Sequence, residues 1–311
     1  MPDIIITEFK DPKAVEATAK NYDVHYDSQL VDQPDELKAL LSDARGLVVR
    51  NRTRVDAELL EAAPNLKVVG RLGVGLDNID LKACKTRGVT VCPATGANDA
   101  AVAEWVIAAA MLLLRGAFLS TAQMLNGGWP RTEAMGRETA GKTLGLVGFG
   151  RIARHTARLA QALEMQVAAY DPFVSTNDNC WKTVTRSEDL FALLRNADVV
   201  SLHVPLDEST RHLLDDNAIA QMKKGAILVN ASRGGVLDEN ALAAAMKSGR
   251  LRGAALDVFE NEPLSAASAA KFADLPNLVL TPHIGGVTIE SNQRVSQVTM
   301  DNVRRVLEES Q

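Results

Sequence analysis

Three polar side chains that could together hold an acid and move a proton follow apolar stretches in the second half of the chain. They are Arg233 after "AILVNAS", Glu262 in "DVFENEP" and His283 after "NLVLTP". In open parallel sheets, ligands bind beyond the carboxyl ends of the strands, so we expect these side chains near one site. His203, in "SLHVP", follows another such stretch, and we expect it to have a structural role.

A guanidinium, a carboxylate and an imidazole suit hydride transfer between a 2-hydroxy acid and its 2-keto acid. As hydride reaches the carbonyl carbon, negative charge grows on the oxygen and a proton must arrive there. An imidazole can supply that proton, and a neighbouring carboxylate stabilises its charged form. A guanidinium can bind the substrate carboxylate and polarise the carbonyl. The sequence therefore predicts His283 as acid–base, Glu262 as its partner and Arg233 as the substrate-binding cation.

The stretch "TLGLVGFGRIARHTARLAQALEMQVAAYDP" contains Gly148, Gly150 and Ala153 in the spacing of a dinucleotide-binding turn. A predicted strand precedes the turn, a predicted helix follows it, and a second strand ends at Asp171. The glycines allow a tight turn and a close approach to a pyrophosphate at the helix N-terminus. Asp171 is placed to accept hydrogen bonds from the adenosine ribose, and its charge would repel the 2′-phosphate of NADP. The motif therefore predicts NAD as the cofactor.

The composition is that of an ordinary α/β protein. Of 311 residues, 46% are hydrophobic and 23% are charged, and the net charge of −5 comes without a basic cluster. Nucleic-acid binding is therefore not expected. The N-terminus lacks a signal-peptide pattern, and the longest apolar run, 105–114, is too short to span a membrane. Three cysteines without metal-ligand spacing indicate reduced thiols, so we expect a cytoplasmic protein without a metal site.

Short β-branched stretches alternate with helical ones, which is typical of parallel sheets covered on both faces. The two series contain too many strands for one sheet, so two doubly wound domains are predicted. Between the series we expect one long apolar helix from Asn98 or Asp99 to Gly128. The amphipathic segment 290–309 is expected to pack on the first domain. The predicted strands are "IIITEF", "DVHYD", "GLVVR", "LKVVGRLG" and "VTVCP", then "TLGLVGFG", "MQVAAYD", "ADVVSLHVP", "AILVNAS", "GAALDV" and "NLVLTPH".

Longer motifs give nearly the whole chain a resemblance to a known family, the D-isomer-specific 2-hydroxyacid dehydrogenases. Within that family the chain is most similar in kind to the D-3-phosphoglycerate dehydrogenases, without the regulatory domain that would follow Gln311, so feedback control by serine is not expected. The resemblance implies an α/β fold in which a Rossmann NAD-binding domain (98–287) is inserted in a flavodoxin-like substrate domain (1–97 plus 288–311). The motifs are "VVGRLGVGLDNID", "GKTLGLVGFGRIA", "MKKGAILVNASRGGVLDENAL", "GAALDVFENEP" and "TPHIGG".

The resemblance also implies roles for individual residues. Arg233, Glu262 and His283 would be catalytic, and the backbone around Val74 and Gly75 would hold the substrate carboxylate. Closure of the two domains would exclude water from the transfer, and homodimers would form through the long helix. Asp257 would bind the nicotinamide carboxamide, and Gly286 would let the backbone pass close to the nicotinamide ring. The other expected cofactor contacts are Arg151, Ile152, Asp171 and Ala231.

The arginines of the first domain bear on the choice of substrate. Arg50, Arg52 and Arg71 follow predicted strands, and Arg131 could reach the site of a partner subunit. If two of these arginines face the site, the substrate carries a second anionic group, as 3-phosphoglycerate and 3-sulfolactate do; Arg52 and Arg71 are the two expected to bind it. For each arginine, a solvated surface position is the alternative. The alternative functions are reduction of glyoxylate or hydroxypyruvate and, in a different class, an NADH-sensing, corepressor-like binding protein.

Overall fold

The computed structural model describes residues 2–8 and 11–310. The chain forms two compact units, one of Met1–Asn98 with Val287–Gln311 and the other of Asp99–Gly286. Four residues of the predicted first domain lie outside the described residues: Met1, Phe9, Lys10 and Gln311. Phe9 is also the last residue of the first predicted strand.

The first unit contains a five-stranded sheet in the order β2-β1-β3-β4-β5, and every pairing is parallel. This is the flavodoxin-like order. The central strands β1 and β3 are buried along their whole length, as continuous apolar stretches predict. The strands are β1 Ile4–Ile6, β2 Val24–Tyr26, β3 Gly46–Val49, β4 Val68–Arg71 and β5 Thr90–Pro93. The helices of this unit are α1 Pro12–Ala19, α2 Pro34–Leu41, α3 Ala57–Glu61, α4 Leu81–Thr86 and α12 Ile289–Glu309.

Helix α12 packs on the first unit, as its amphipathic pattern predicts. Its N-cap is Thr288, whose side chain accepts a hydrogen bond from Ser291 N and completes a capping box. The helix lies so close to β4 that a Cβ at Gly70 would be 2.6 Å from Val303 Cγ2. The apolar face of α12 is buried through Val295, Met300, Val303, Val306 and Leu307.

The second unit contains a seven-stranded parallel sheet in the order β12-β11-β10-β9-β6-β7-β8. Counted within the unit this is the Rossmann order, extended by one strand. All the strands predicted from the sequence are present, and β8 was not predicted because two residues are too few to show a pattern. The strands are β6 Thr143–Val147, β7 Gln166–Tyr170, β8 Thr185–Arg186, β9 Val199–Leu202, β10 Ala226–Asn230, β11 Leu251–Leu256 and β12 Leu278–Leu280. The helices are α5 Asp99–Arg115, α6 Thr121–Leu125, α7 Arg151–Ala162, α8 Leu190–Asn196, α9 Asp216–Gln221, α10 Glu239–Lys247 and α11 Ala266–Ala269.

The prediction of one apolar helix from residue 98 or 99 to 128 is wrong in its length. Helix α5 ends at Arg115 because Gly116 adopts a φ of 64°, the left-handed conformation that ends many helices. A short 3₁₀ turn at Ala117–Ser120 leads into α6, and the chain bends by 68° at this break. Among the described residues no single helix has the length and apolarity to cross a membrane; α5 and the segment to Leu125 meet that measure only as a bent pair.

Candidate active site

Glu262 and His283 form a hydrogen-bonded pair on the loops that follow β11 and β12. His283 Nδ1 lies 2.7 Å from Glu262 Oε2. An ionised carboxylate can only accept, so Nδ1 is the donor. The side chains of His283 and Glu262 are 44% and 33% exposed, so a small molecule can reach the imidazole. The structure thus brings together two of the three residues predicted to carry the chemistry.

The surroundings of Glu262 keep its carboxylate ionised. Partial burial raises the pKa of Glu262, but the hydrogen bond from His283, the amide of Phe259 and the charges of His283 and Arg233 outweigh the burial. The pKa therefore lies below its ordinary value of 4.5. Phe259 N donates to Glu262 Oε1 at 3.0 Å, so each carboxylate oxygen has a partner. Glu262 is consequently suited to orient the imidazole and not to donate a proton itself.

A buried carboxylate, Asp257, shapes the loop that carries His283. Asp257 is only 2% exposed. Its carboxylate accepts hydrogen bonds from Thr281 Oγ1 at 2.5 Å, Ile284 N at 2.8 Å and Gly285 N at 2.7 Å. Its backbone oxygen accepts from His283 N at 2.8 Å. These bonds hold His283 at a φ of 52°, which is uncommon for a residue with a side chain. Asp257, expected at the cofactor, thus fixes the backbone of the histidine.

Arg233 lies after β10 on a segment that a buried asparagine holds in place. Asn230 Nδ2 donates to Arg233 O at 2.9 Å, and Asn230 Oδ1 accepts from Ser232 N at 3.0 Å. A Cβ at Gly234, the residue after Arg233, would lie 1.9 Å from the carbonyl group of Phe259, so the segment that carries Arg233 lies against the loop that carries Glu262. The three residues predicted to be catalytic therefore share one region of the second unit.

The predicted dinucleotide turn joins β6 to α7. Gly148 has a φ of 87°, and a Cβ there would lie 2.9 Å from the carbonyl group of His203. At Gly150, by contrast, a Cβ would meet no described heavy atom within 4 Å apart from its chain neighbours. Gly150 is the N-cap of α7, and no side chain within the described residues caps this helix. The free amides and the open space at the turn fit a pyrophosphate, as an NAD site requires.

Asp171 lies at the end of β7 and is bonded to the glycine turn. Its Oδ2 accepts from Phe149 N at 2.8 Å, and its Oδ1 accepts from Phe173 N at 2.9 Å. Each oxygen keeps a second lone pair, so the carboxylate can still accept from ribose hydroxyls. Beside the turn, Arg151 Nε donates to Asp99 Oδ2 at 3.0 Å while 68% of the arginine side chain stays exposed.

The remaining expected cofactor contacts lie in the second unit as well. Ile152 is in the first turn of α7 and packs partly against the core, and Ala231 directly follows β10. Gly286 is the last residue of the unit. At the neighbouring Gly285, a side chain would collide with the protein, because a Cβ there would lie 2.9 Å from Asp257 Oδ2.

In the first unit, a buried carboxylate holds the loop that follows β3. Glu8 accepts four hydrogen bonds of 2.8–3.2 Å from the backbone amides of residues 50–53. Arg52, in this loop, makes a bidentate ion pair with Asp32. The two side chains are 58% and 63% exposed, so Arg52 lies on the surface of its unit. Arg50 is partly buried, and burial lowers the pKa of its guanidinium.

The loop that follows β4 contains the other expected substrate residues. Arg71 folds back over this loop, and its Nη1 donates to Leu72 O at 2.9 Å. The guanidinium occupies the space of a side chain at Gly73, where a Cβ would lie 1.7 Å from Nη1. Val74 is exposed and Gly75 is partly exposed, so their backbone can be reached by a ligand.

The two remaining residues singled out in the sequence are His203 and Arg131. Burial lowers the pKa of His203 to about 4, so its ring is neutral at neutral pH. Its Nε2 lies 2.9 Å from Ser201 Oγ, which fits the structural role expected for it. Arg131 is exposed in the segment after α6.

Sequence reasoning missed several polar residues that position the site. Glu8 and Asn230 each lie at the end of a buried strand, which is the same signal that singled out Arg233 and His283. The sequence predicts Asp99 only as a possible start of the long apolar helix, although its carboxylate binds Arg151. A systematic reading of every polar residue at a strand end would have found the first two.

Comparisons with known proteins identify the family of this chain. The family model "D-isomer specific 2-hydroxyacid dehydrogenase, NAD binding domain" matches residues 107–285. (S)-Sulfolactate dehydrogenase of Chromohalobacter salexigens is 54% identical over 307 residues, which are 99% of this chain and 99% of that protein. Hydroxypyruvate reductase of Thermotoga maritima is 40% identical over 275 residues, or 88% of this chain and 89% of that protein.

The solved structures include close matches over the full length. The crystal structure of D-lactate dehydrogenase from Aquifex aeolicus, complexed with NAD and lactic acid, superimposes with a TM-score of 0.85 at 29% identity. The match covers 98% of this chain and 95% of that one. The predictions of the fold class, of NAD and of hydride transfer on a 2-hydroxy acid are therefore confirmed. The chain belongs to the D-isomer specific 2-hydroxyacid dehydrogenase family and is an NAD-dependent enzyme of that family.

Proposed function

We propose that the enzyme acts on a small 2-hydroxy acid with a second anionic group, of the 3-sulfolactate type. The observation that carries this proposal is the 54% identity to (S)-sulfolactate dehydrogenase over 99% of both chains. The arginines of the first unit support it, since an anion site needs cations. The exposed pair of Arg52 and Asp32 contributes at most about 1 kcal/mol, so an anionic substrate can compete with Asp32 for Arg52.

The glycine turn and Asp171 are the residues that would hold NAD in this proposal. The amides of α7 beyond Gly150 would bind the pyrophosphate, and Asp171 would bind the ribose hydroxyls. Asp257 would contribute a contact to the carboxamide while it holds the His283 loop. When bound, NAD accepts the hydride that leaves C2 of the hydroxy acid.

His283 would take the proton of the substrate hydroxyl. Its Nδ1 is engaged by Glu262, so Nε2 is the ring nitrogen that receives the proton. Glu262 remains ionised and would stabilise the imidazolium that results, as buried carboxylates do in other histidine pairs. In the reverse direction the imidazolium would return the proton to the substrate oxygen.

Arg233 would hold the substrate carboxylate. A guanidinium binds a carboxylate through two parallel hydrogen bonds, which fixes the orientation of the acid as well as its position. In the first unit, the backbone of Val74 and Gly75 can be reached by a ligand and would be a further set of donors for an anion. With the acid fixed in this way, the C2 hydroxyl can be presented to His283 Nε2.

The test is a panel of hydroxy acids with NAD, read as NADH absorbance. The panel contains both enantiomers of 3-sulfolactate and of 3-phosphoglycerate, together with glycerate, glycolate and lactate. We expect the highest kcat/KM with a dianionic acid. A higher kcat/KM for glycerate or glycolate would overturn the dianion proposal.

The second candidate is reduction of hydroxypyruvate or glyoxylate, the same chemistry on a monoanion. The similarity to hydroxypyruvate reductase of Thermotoga maritima favours it. Assays in the reverse direction, with NADH and hydroxypyruvate or glyoxylate, separate it from the leading proposal. The corepressor-like alternative needs no proton-transfer pair, so the bond between Glu262 and His283 argues against it.

We also propose that the protein is a homodimer in the cytoplasm. Large apolar side chains are exposed between α5 and β6, which is unusual for a monomer. Light scattering coupled to size exclusion should give the mass of a dimer, and Leu125→Asp should shift it to that of a monomer. Ile289→Asp, at an exposed apolar position of the first unit, is the control and should leave the dimer intact. The exposed side chains are Phe118, Leu119, Met124, Leu125, Trp129 and Met135.

A further inference from the structure

The loop that carries Glu262 is attached to α10 by two acidic residues. Glu260 N donates to Glu239 Oε1 at 2.7 Å, and Glu239 N donates to Glu260 Oε1 at 3.4 Å. Glu239 is the first residue of α10, whereas Glu260 lies two positions before Glu262. The two glutamates therefore exchange backbone-to-carboxylate hydrogen bonds and tie the loop to the start of a helix.

The carboxylate of Glu239 is almost fully buried, with 3% of its side chain exposed. Its other oxygen, Oε2, accepts from Lys271 Nζ at 2.9 Å, and Lys271 Nζ also lies 3.8 Å from Glu260 Oε2. His212 Nε2 lies 3.1 Å from Glu260 Oε1. A buried ion pair often contributes little net stability, since desolvation offsets the attraction. A requirement to hold the loop in one position would explain why the pair is present.

The same loop is also pressed against the segment that carries Arg233. A Cβ at Gly234 would lie 1.9 Å from the carbonyl carbon and oxygen of Phe259 and 2.5 Å from Glu260 N. The backbones of the two segments are therefore in direct contact one residue from Arg233 and two residues from Glu262. A shift of the Glu260 amide would move Glu262 relative to both Arg233 and His283.

We propose that Glu239 is a positioning residue for Glu262. Through the Glu260 amide and Lys271, it fixes the loop so that Glu262 Oε2 meets His283 Nδ1. The inference rests on the catalytic role proposed for the Glu262–His283 pair. Displacement of a reacting group by about 1 Å can cost about 100-fold in rate, so a residue that touches no substrate can still control kcat.

The test is a double-mutant cycle on kcat with Glu239→Ala and Glu262→Gln. Glu239→Ala should lower kcat by about 10- to 100-fold, while KM for NAD changes by less than about twofold, because the loop does not carry the residues proposed to hold the pyrophosphate and ribose. In the Glu262→Gln background, Glu239→Ala should have almost no further effect, since it acts through Glu262. A role in stability alone would leave the kcat of the folded enzyme unchanged, and an equal fall in both backgrounds would show that Glu239 does not act through Glu262; either result would overturn the inference.

The matched control is Asp198, another buried carboxylate paired with a lysine and a backbone amide. Asp198 Oδ1 accepts from Lys223 Nζ at 2.7 Å and Oδ2 accepts from Thr143 N at 3.0 Å, at the amino ends of β6 and β9. Asp198→Ala should lower the melting temperature and leave the kcat of the folded enzyme unchanged.

A conservative variant covers the case in which Glu239→Ala does not fold. Glu239→Gln keeps an oxygen for the Glu260 amide and loses only the charge, so kcat should fall less, and the fall should again vanish in the Glu262→Gln background. An unchanged kcat in both Glu239 variants would overturn the inference. If Glu262→Gln itself leaves kcat unchanged, the proposed catalytic role fails instead.

Discussion

The Glu262–His283 pair of the second unit, which we propose moves the proton, and the arginines of the first unit differ in how firmly their side chains are held. Glu262 and His283 sit on short loops whose backbone is fixed by Asp257, Glu239 and Gly234, and their own hydrogen bond is 2.7 Å long. Arg52, in contrast, has a well-fixed backbone but an exposed side chain in an ion pair with Asp32. If the proposed roles hold, proton transfer uses a preformed geometry, whereas recognition of the substrate uses side chains that can rearrange.

The largest expected effect is on the acid–base pair itself. His283→Ala should lower kcat by about 100- to 10,000-fold, the usual contribution of general acid–base catalysis. KM for NAD should change little, because the imidazole is not proposed to bind the pyrophosphate or the ribose. Stopped-flow or steady-state NADH absorbance measures the effect. His155→Ala, at a partly exposed histidine of α7, is the control and should retain normal turnover; a near-normal rate for His283→Ala would refute the assignment.

A smaller effect is expected at the cofactor, where the site is also preformed. Asp171→Ala should raise KM for NAD by about 10- to 100-fold, since a hydrogen bond to a charged group contributes about 1.5–3 kcal/mol. It should also reduce the preference for NAD over NADP, because the charge that repels the 2′-phosphate is removed. Asp216→Ala, at an exposed carboxylate of the same unit, should change neither constant. Equal KM values for NAD in Asp171→Ala and wild type would contradict the role of Asp171.

Recognition by the first unit should respond more weakly and more selectively. Arg52→Ala should raise KM for 3-sulfolactate by about two- to fivefold, as the loss of one exposed charged contact predicts, and leave kcat unchanged. The KM for glycerate, which lacks the second anion, should stay the same. Arg54→Ala, an exposed arginine of the same loop, is the matched control. The dianion proposal is weakened if Arg52→Ala affects glycerate as much as 3-sulfolactate.

The smallest effect is the pH dependence of stability that comes from Glu262. The pKa of Glu262 in the folded protein lies below its ordinary value of 4.5, so the unfolded state binds more protons in this range. The stabilisation is therefore fully present above about pH 4.5 and is lost as the pH falls through the folded pKa. Urea unfolding of wild type and Glu262→Gln should show a difference in free energy of unfolding at pH 6 that shrinks towards pH 3. A difference that grows as the pH falls would show that the sign is wrong.

Much of the fold follows from local sequence patterns. The buried strands are short runs of β-branched residues, and the turn at Gly148 is fixed by its glycines, so strand positions and the cofactor motif could be predicted. The end of α5 at Gly116 was not predicted from the same patterns. An apolar pattern continues through that glycine, and only its positive φ ends the helix.

The sequence predicts the proposed reacting groups but not the residues that hold them in place. Arg233, Glu262 and His283 stand out because each is a polar residue after an apolar strand. The role of Asp257 in holding the 281–285 loop depends on contacts between residues far apart in the chain, which no local pattern reveals. The roles of Glu239 and Lys271 likewise depend on contacts between distant residues, and so does the role of Glu8, which binds the backbone amides of residues 50–53.

The most direct test of the contrast between the two regions is one selectivity ratio. It is kcat/KM for 3-sulfolactate divided by kcat/KM for glycerate, measured in wild type, His283→Ala and Arg52→Ala. We predict that His283→Ala lowers both values by the same factor and leaves the ratio unchanged, whereas Arg52→Ala lowers the ratio by about two- to fivefold. An unchanged ratio in Arg52→Ala together with an altered ratio in His283→Ala would contradict the assignment of chemistry to the second unit and recognition to the first.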